Sequence, residues 1–519
     1  MASRFVTVLL VWFVGAVVAP PSNPLPAAID HAIQQVTVAE LREHISVLAS
    51  DRMSGRGIGH EGNKEAEVYI AGVLRSAKVV PAVPNYLQPV GVYSPTLGGA
   101  ASLMISAGDK AIVELRVGPD FLPQPESSDR VATGPVIFVN HGVSAAAVGH
   151  DDYANVDARG AVVLALDGVP DAILRSTEIS MDDKAEIATI DRKADDARAH
   201  GAAGLIVIRS YVGEAEAYWP SHPSVRSAAY RLYEPMREKP LAIAVVSEHA
   251  AKAIRDALNQ RQVVTATLNP DVVARPITMD NILGMVEGRQ SPAEIVVVGA
   301  HLDHDGIDES GRIYNGADDN ASGTAAVLAM ASAFTRAAAQ GTRPARAVVF
   351  ALWNGEEKGE LGAEYFVAHP QPARRVVANI NLDMIGRDED VPDPDDPRFR
   401  GFARTRAADN VNVVHLLGYS YAPDLARDAE VANETIHLTI KQNYDRDAQG
   451  LVRRSDHWPF IQHGIPALFL TTGLHPDYHT PNDDTARIDF AKLERITELA
   501  SRLVWLAANG DAPRFVHAQ

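Results

Sequence analysis

The chain contains no cysteine in 519 residues. This absence excludes disulfide bonds, a thiolate nucleophile and a zinc site with thiolate ligands. Any metal site in this protein must therefore be built from histidine, aspartate and glutamate side chains.

Positive charge is also in short supply, with 48 basic against 66 acidic residues and a formal net charge of −18. A nucleic acid or an anionic membrane needs a basic face, so we expect neither as the main partner. The chain also lacks the G-x-S-x-G and H-E-x-x-H patterns. The sequence therefore does not support a serine hydrolase with a nucleophile elbow or a thermolysin-like zinc enzyme.

A long apolar run occurs only at the start, "MASRFVTVLLVWFVGAVVAP". Arg4 precedes the apolar residues 5–18, a run too short to span a bilayer comfortably. The pattern predicts a signal peptide over residues 1–19, although Pro20 leaves the cut site open and an uncleaved anchor is the alternative. We expect a secreted or periplasmic protein that does not associate with the membrane once the signal is removed.

After Arg275, β-branched apolar runs alternate with helical segments; the runs are "EIVVVGAH", "ARAVVFALW", "VVANINLDM" and "GIPALFL". Strands that are apolar on both faces and alternate with helices predict a sheet covered on both sides. The fold class predicted is therefore α/β, with a mixed, mostly parallel sheet flanked by helices on both faces.

Acids and imidazoles come directly after each of these runs, where ligands gather in open α/β sheets. The residues concerned are His301, Asp303, His304, Glu356, Glu357, Asp383, His475 and His479. Each one alone has an ordinary structural explanation, but like charges converging on one rim repel each other. A pair of divalent cations removes that repulsion, and imidazole mixed with carboxylate suits zinc.

The stretch "GADDNASG" adds two adjacent acids, Asp318 and Asp319, just before a helix. A helix N-cap is the simple interpretation, because acids are favourable at the positive end of a helix. The convergence of the other segments favours a second interpretation, in which at least one of the two aspartates binds a metal.

Five of these stretches resemble, in order, the co-catalytic zinc aminopeptidase family. They are "GAHLDHDG", "YNGADDNASG", "WNGEEKGELGAEYF", "NINLDMIGR" and "DYHTPNDD". The resemblance is strong over residues 275–508 and weaker in the N-terminal helices. It implies the zinc exopeptidase fold and two zinc ions per chain.

The resemblance also implies a role for each matching residue. One zinc ion would be bound by His301 and Asp383, the other by Glu357 and His479, and Asp318 would bridge the two. Glu356 would be the general base. Asp303 would accept a hydrogen bond from His301 and fix its tautomer. The peptide bond between Asp318 and Asp319 would be cis.

The middle of the chain resembles a protease-associated domain, notably in "DDYANVDARGAVVLALDG" and "ARAHGAAGLIVI". The resemblance therefore implies a peptidase domain in two parts, residues 28–124 and 275–510, with a smaller β-rich insert at residues 125–269. The insert carries few candidate catalytic groups, so we expect it to shape access to the site.

The expected activity is hydrolysis of the N-terminal peptide bond of a peptide substrate. A carboxypeptidase or dipeptidase of the same fold is the alternative, and a glutaminyl cyclase is less favoured because the full two-metal set is present. Three histidines stay open: His304, where relatives carry more apolar residues, His475 as an extra ligand, and His457 as a substrate contact or a structural residue.

Overall fold

The computed structural model describes residues 25–108, 110–179, 181–209, 230–232, 241–260, 263–392, 396–447 and 449–517. The predicted signal peptide, residues 1–19, lies outside these ranges. Among the described residues, no helix combines the length and the apolar character needed to cross a membrane.

In the part of the chain that the structure describes, a mixed sheet of ten strands forms the centre of the larger unit. In spatial order its path is Arg231–Leu232, Leu87–Leu97, Val272–Val286, Arg346–Trp353, Ser291–His301, Arg375–Leu382, Ala467–Thr471, Val413–Leu417 and Thr439–Lys441, with Val80–Pro81 paired to Val272–Val286. The four adjacent strands from Arg346–Trp353 to Ala467–Thr471 are mutually parallel, whereas both of their outer neighbours are antiparallel to them.

Helices cover both faces of this sheet, which confirms the predicted α/β class. The helices of the larger unit are Ala27–Gln34, Val38–Leu48, Glu61–Ser76, Gly323–Ala339, Leu361–Ala368, Pro423–Asn433, Trp458–Gln462 and Phe490–Asn509. The helix Gly323–Ala339 is buried along most of its length, because it packs between the sheet and the helices at both ends of the chain.

The alternation of side chains along the central strands explains why their sequences are apolar throughout. In the strand Ser291–His301, Val296 and Val298 belong to one buried cluster, while Ile295 and Val297 belong to the cluster on the opposite face. Successive residues of a strand point to opposite sides. A strand covered on both sides therefore needs apolar residues at every position, as the sequence pattern predicted.

Within the described ranges, a second sheet of eight strands forms the smaller unit. Its strands, in spatial order, are Lys110–Leu115, Ser102–Ala107, Val264–Asn269, Ala132–Phe138, Val162–Leu166, Gly204–Arg209, Ala242–Ser247 and Phe121–Pro123. Its helices are Asp171–Leu174, Met181–Ile187, Ile190–Ala199 and Glu248–Asn259.

This second sheet begins earlier than the insert predicted at residues 125–269. Three of its strands lie in residues 102–123, which the sequence placed in the first part of the peptidase domain, and Ser102–Ala107 pairs antiparallel with Val264–Asn269. The cause is that the first and last strands of the unit are neighbours in space but distant in sequence. The boundary therefore moves to about residue 100, between Leu87–Leu97 in the large sheet and Ser102–Ala107 in the small one.

Candidate metal and catalytic site

The carboxyl ends of the four parallel strands bring the predicted site residues together. His301 ends the strand Ser291–His301, and Asp383 directly follows Arg375–Leu382. Glu356 and Glu357 follow Arg346–Trp353 in a tight turn, and His479 lies in the loop after Ala467–Thr471. Parallel strands that are neighbours in the sheet expose their carboxyl ends at the same edge, so residues far apart in sequence meet there.

The two oxygens of the Asp319 carboxylate face two separate pairs of side chains. Asp319 Oδ1 lies 3.3 Å from His301 Nε2, which is itself 3.4 Å from Asp383 Oδ1. Asp319 Oδ2 lies 3.2 Å from His479 Nε2, which is 3.3 Å from Glu357 Oε2. Asp319 therefore lies between one histidine and carboxylate pair and a second such pair.

The first pair leaves polar atoms without protein partners. His301 Nε2 and Asp383 Oδ1 are buried and have no hydrogen-bond partner among the described residues. Asp383 Oδ2, in contrast, accepts a hydrogen bond from Ser455 Oγ at 2.6 Å. Buried polar atoms are normally satisfied, so this convergence of acceptor and imidazole atoms fits a cation. His301, Asp319 and Asp383 also place one ligand atom each within 4.8 Å of one another.

The sequence predicted that Asp318 would bridge the two metal sites. In the structure Asp319 lies between the two pairs, and the Asp318 side chain points away from them. Its Oδ2 lies 3.2 Å from His475 Nε2, and its Oδ1 accepts a hydrogen bond from the Gly386 backbone at 2.6 Å. The cis peptide bond is likewise one residue later than expected, between Asp319 and Asn320. Adjacent residues in this turn point in different directions, and sequence spacing does not reveal which of two acids faces the site.

The role predicted for Asp303 also changes. His301 Nδ1 lies 3.2 Å from the backbone carbonyl oxygen of Asp303, whereas the Asp303 carboxylate is 3.9 Å away. Donation from Nδ1–H to that carbonyl leaves Nε2 as the acceptor that faces Asp319. The Asp303 carboxylate accepts hydrogen bonds from the backbones of Gly355 and Glu356 at 2.8 and 3.1 Å. Asp303 thus orients the turn that carries the two glutamates.

His304 and Asp305 are site neighbours whose contacts the sequence did not predict. His304 Nδ1 lies 2.6 Å from Glu357 Oε1, so the two Glu357 oxygens face different imidazoles. Asp305 Oδ2 lies 3.6 Å from His479 Nδ1 and keeps that ring turned with Nε2 toward Asp319. Both residues are buried. The sequence offers one indication of these contacts: His304 and Asp305 are polar residues that closely follow His301 at the end of its strand.

The other open histidines do not contribute to either pair. His475 contacts Asp318 and is fully buried. His457 packs its ring against Phe469 with the centroids 4.9 Å apart, and burial lowers its pKa to about 3. A neutral, packed ring is typical of a structural histidine.

The environment of Glu356 favours the protonated form of its carboxyl group. Burial raises its pKa well above the usual range, and the nearby carboxylates of Glu357, Asp383 and Asp456 act in the same direction, opposed by His301. Glu357 differs: burial would raise its pKa, but His479 and His304 hold it at about 2. Neighbouring carboxyls whose pKa values are pushed apart are typical of divided acid–base and ligand roles.

A buried arginine holds the turn that carries Asp319. The Arg56 guanidinium, 1% exposed, donates hydrogen bonds to the carbonyl oxygens of Leu302, Leu48 and Asn315 at 2.7 Å and of Gly316 at 2.9 Å. Burial lowers its pKa to about 10, so it remains a cation beneath the acidic cluster. Asp483 supports the same turn by accepting the Asp318 and Asp319 backbone N–H groups at 3.0 Å.

The fold and this site define an α/β domain with paired imidazoles and carboxylates at the carboxyl edge of its sheet. Residues 281–504 match the model of Peptidase family M28. The family resemblance of the five motifs is thereby confirmed for this part of the chain.

Curated relatives and solved structures are consistent with that assignment. A Pseudomonas aeruginosa protein named aminopeptidase is 25% identical over 366 residues, which cover 70% of this chain and 59% of the relative. An Arabidopsis thaliana protein named probable glutamate carboxypeptidase LAMP1 is 26% identical over 215 residues, 40% of this chain and 28% of the relative. The chain thus spans less than two thirds of either relative.

A solved aminopeptidase from Aneurinibacillus sp. strain AM-1 shares the fold. The superposition covers 94% of this chain and 97% of that one, with a TM-score of 0.51 and 19% sequence identity. At that identity the likeness concerns architecture, and the chemistry has to be argued from the site itself.

The first prediction concerns Arg56. Arg56→Met keeps an apolar stem but removes the guanidinium donor from four carbonyl oxygens, of which only that of Gly316 keeps another donor among the described residues, the Ala321 N–H, at a cost of about 3 kcal/mol or more. We expect a lower unfolding temperature and weaker zinc retention, measured by differential scanning calorimetry and by zinc per chain after dialysis. Arg52→Gln is the control. Arg52 lies in the same short helical segment as Arg56, Asp51–Arg56, but its side chain is 76% exposed. Equal unfolding temperatures for the two variants would contradict the role given to Arg56.

The second prediction separates the adjacent aspartates. Asp319→Asn removes the charge shared by both histidine and carboxylate pairs, so bound zinc should fall to less than about half of the parent level. Asp318→Asn keeps the oxygen that accepts the Gly386 N–H and should retain zinc near the parent level. Elemental analysis of both purified variants decides the question. Zinc loss confined to Asp318→Asn would restore the assignment made from the sequence.

Proposed function

We propose that the protein is a secreted or periplasmic zinc aminopeptidase that binds two zinc ions per chain. The observation that carries the proposal is the position of Asp319, whose two oxygens each lie within 3.3 Å of a different imidazole. In this proposal one zinc ion is held by His301, Asp319 and Asp383, and the other by Asp319, Glu357 and His479. The ligand set of imidazoles and carboxylates suits zinc, with cobalt or manganese as possible substitutes.

Bound zinc ions would supply a water of lowered pKa and polarise the carbonyl of the peptide bond. Glu356 would take the proton from that water and return it to the leaving amine. Its carboxylate lies 3.8 Å from His301 Nε2, and its backbone is fixed by Asp303. The raised pKa of Glu356 suits both halves of this transfer.

A cavity of about 270 Å³ next to the site would bind the substrate. Tyr478 lines it together with Asp319, Glu356 and His479. Burial and four surrounding carboxylates raise the Tyr478 pKa well above its usual range, so its hydroxyl stays protonated and can donate a hydrogen bond to the substrate carbonyl. An acidic cavity of this kind favours a substrate with a charged α-amine.

A carboxypeptidase is the second candidate, because Arg453 and Arg454 line the same cavity and a guanidinium can bind a terminal carboxylate. Arg454, however, already donates to the Gln449 carbonyl at 2.7 Å and lies 5.7 Å from the Phe402 ring. Arg453 lies 5.5 Å from the Trp458 ring. The acidic residues immediately around the proposed metals therefore favour the aminopeptidase.

The third prediction tests which end of the substrate is recognised. Aminoacyl-anilides with a free α-amine should be cleaved, and their N-acetyl forms should react at least about 100-fold more slowly, since they lose a charge-assisted contact at the acidic rim. N-blocked dipeptides with a free carboxylate serve as the carboxypeptidase control. Faster cleavage of these blocked dipeptides would select the second candidate, and equal cleavage of free and acetylated anilides would reject the aminopeptidase.

The fourth prediction separates the two adjacent glutamates. Glu356→Gln keeps the shape of the side chain but removes the base, so kcat should fall about 10²- to 10⁴-fold while both zinc ions are retained. Glu357→Gln is the matched change one residue later, and it should lose zinc together with activity. Zinc per chain and kcat are measured on the same preparations. If Glu356→Gln loses zinc and Glu357→Gln keeps it, the two roles are reversed.

A further inference from the structure

Glu360 is an acid in the substrate cavity that the proposed chemistry does not use. It lines the cavity with Glu356, Glu357 and Asp383, and its side chain is half-buried. Among the described residues, no hydrogen bond or ion pair joins its carboxylate to another side chain or backbone group. An acid that is partly removed from water and has no partner carries an unfavourable desolvation energy. A ligand that provides a cation would offset it.

The backbone fixes Glu360 relative to the proposed catalytic turn. The Glu360 N–H donates to the carbonyl oxygen of Glu356 at 2.9 Å, and the Leu361 N–H donates to that of Gly355 at 3.0 Å. Glu360 has φ of 55°, a region that disfavours most side chains other than asparagine and aspartate. The chain therefore holds Glu360 at a defined place beside Glu356, where the residue forms part of the cavity wall.

The charges around Glu360 do not neutralise it. Burial raises its pKa to about 8, and the Glu364 carboxylate acts in the same direction. Asp456 lies close enough to interact with Glu360, and both Asp456 carboxylate oxygens are buried without a hydrogen-bond partner among the described residues. An arriving ammonium or guanidinium group would pair with the ionised form of Glu360 and stabilise it.

The size of the cavity limits what it can accept. Its volume of about 270 Å³ is below the usual range for drug-sized ligands, so it suits a single residue. Met384, Leu451 and Leu474 also line it and can contact the aliphatic part of a long side chain. A cavity lined by both apolar residues and an unpaired acid matches a lysine or arginine side chain, whose stem is apolar and whose end is charged.

On the basis of the proposed aminopeptidase function, we infer that Glu360 selects substrates whose N-terminal residue is lysine or arginine. Glu360 touches the side chain of that residue, whereas the α-amine and the peptide bond lie at the metals and Glu356. Glu360 is then a specificity-determining residue, separate from the groups that carry the reaction.

The test compares lysyl-, arginyl-, methionyl-, leucyl- and glutamyl-anilides on the parent enzyme and on Glu360→Gln. Methionine resembles lysine in length but has no charge, so the ratio of kcat/KM for lysine over methionine isolates the ionic contact. We expect the parent to favour lysine and arginine. Glu360→Gln should lower kcat/KM for these two by about 10- to 100-fold, as loss of a charged hydrogen bond predicts. The methionyl and leucyl values should change less than about threefold.

Glu364→Gln is the matched control, because it makes the same chemical change one helical turn away and Glu364 does not line the cavity. Its lysine-to-methionine ratio should not fall below that of the parent, because loss of the Glu364 charge favours the ionised form of Glu360. Glu360→Asn is a second variant that suits the positive φ, should Glu360→Gln fold poorly. Zinc per chain and unfolding temperature are recorded for all variants.

Each alternative result overturns the inference in a recognisable way. If kcat/KM of Glu360→Gln falls equally for lysyl- and methionyl-anilides, Glu360 binds the α-amine or supports the turn. A parent preference for glutamyl-anilide means that Arg453 or Arg454 determines the specificity. An unchanged lysine-to-methionine ratio in both Glu360 variants excludes contact with the side chain. Cleavage of none of the anilides by the zinc-loaded parent rejects the proposed function itself.

Discussion

The position of one carboxylate, Asp319, determines how the rest of the site is arranged. Its two oxygens face His301 and His479, which come from opposite ends of the chain's C-terminal half. A carboxylate can be shared in this way only if its backbone is held firmly. Arg56 binds the carbonyl groups of the turn from one side, and Asp483 binds the N–H groups of the same turn from the other. The turn is therefore held through both its donors and its acceptors.

Carboxylates concentrated at one sheet edge repel one another, and this electrostatic repulsion explains why a buried guanidinium and several imidazoles lie next to the site. Asp319, Asp383, Glu356 and Glu357 lie around one cavity and repel one another. A buried guanidinium below the turn and three nearby imidazoles partly compensate this charge. The compensation is uneven, since the imidazoles lower the pKa of Asp319 and Glu357 while that of Glu356 stays raised. The two adjacent glutamates therefore have different electrostatic environments, as the roles proposed for them require.

The sequence predicted the sheet and most of the site because both obey local rules. Apolar strands buried on two faces identified the sheet, and the residues just beyond the strand ends included His301, Glu356, Asp383 and His479. The limits of the small unit were wrong at the N-terminal side, because the pairing of Ser102–Ala107 with Val264–Asn269 joins segments with no shared pattern. Arg56 was also missed, since a buried arginine that binds only backbone carbonyls has no spacing relation to its partners.

The stretch "GADDNASG" shows why residue type alone could not complete the assignment. Helix capping and metal binding both predict acids there, and in the structure three neighbouring side chains of this stretch make three different contacts. Asp318 packs against His475, Asp319 faces the site, and Asn320 Oδ1 accepts the Gly323 N–H at 2.9 Å at the start of the helix. Gly316, with φ of 56°, leaves no room for a Cβ, which would lie 2.1 Å from the Asp319 carbonyl oxygen. The tight backbone makes consecutive side chains point in different directions, and the capping contact is made by Asn320, not by either aspartate of the acidic pair.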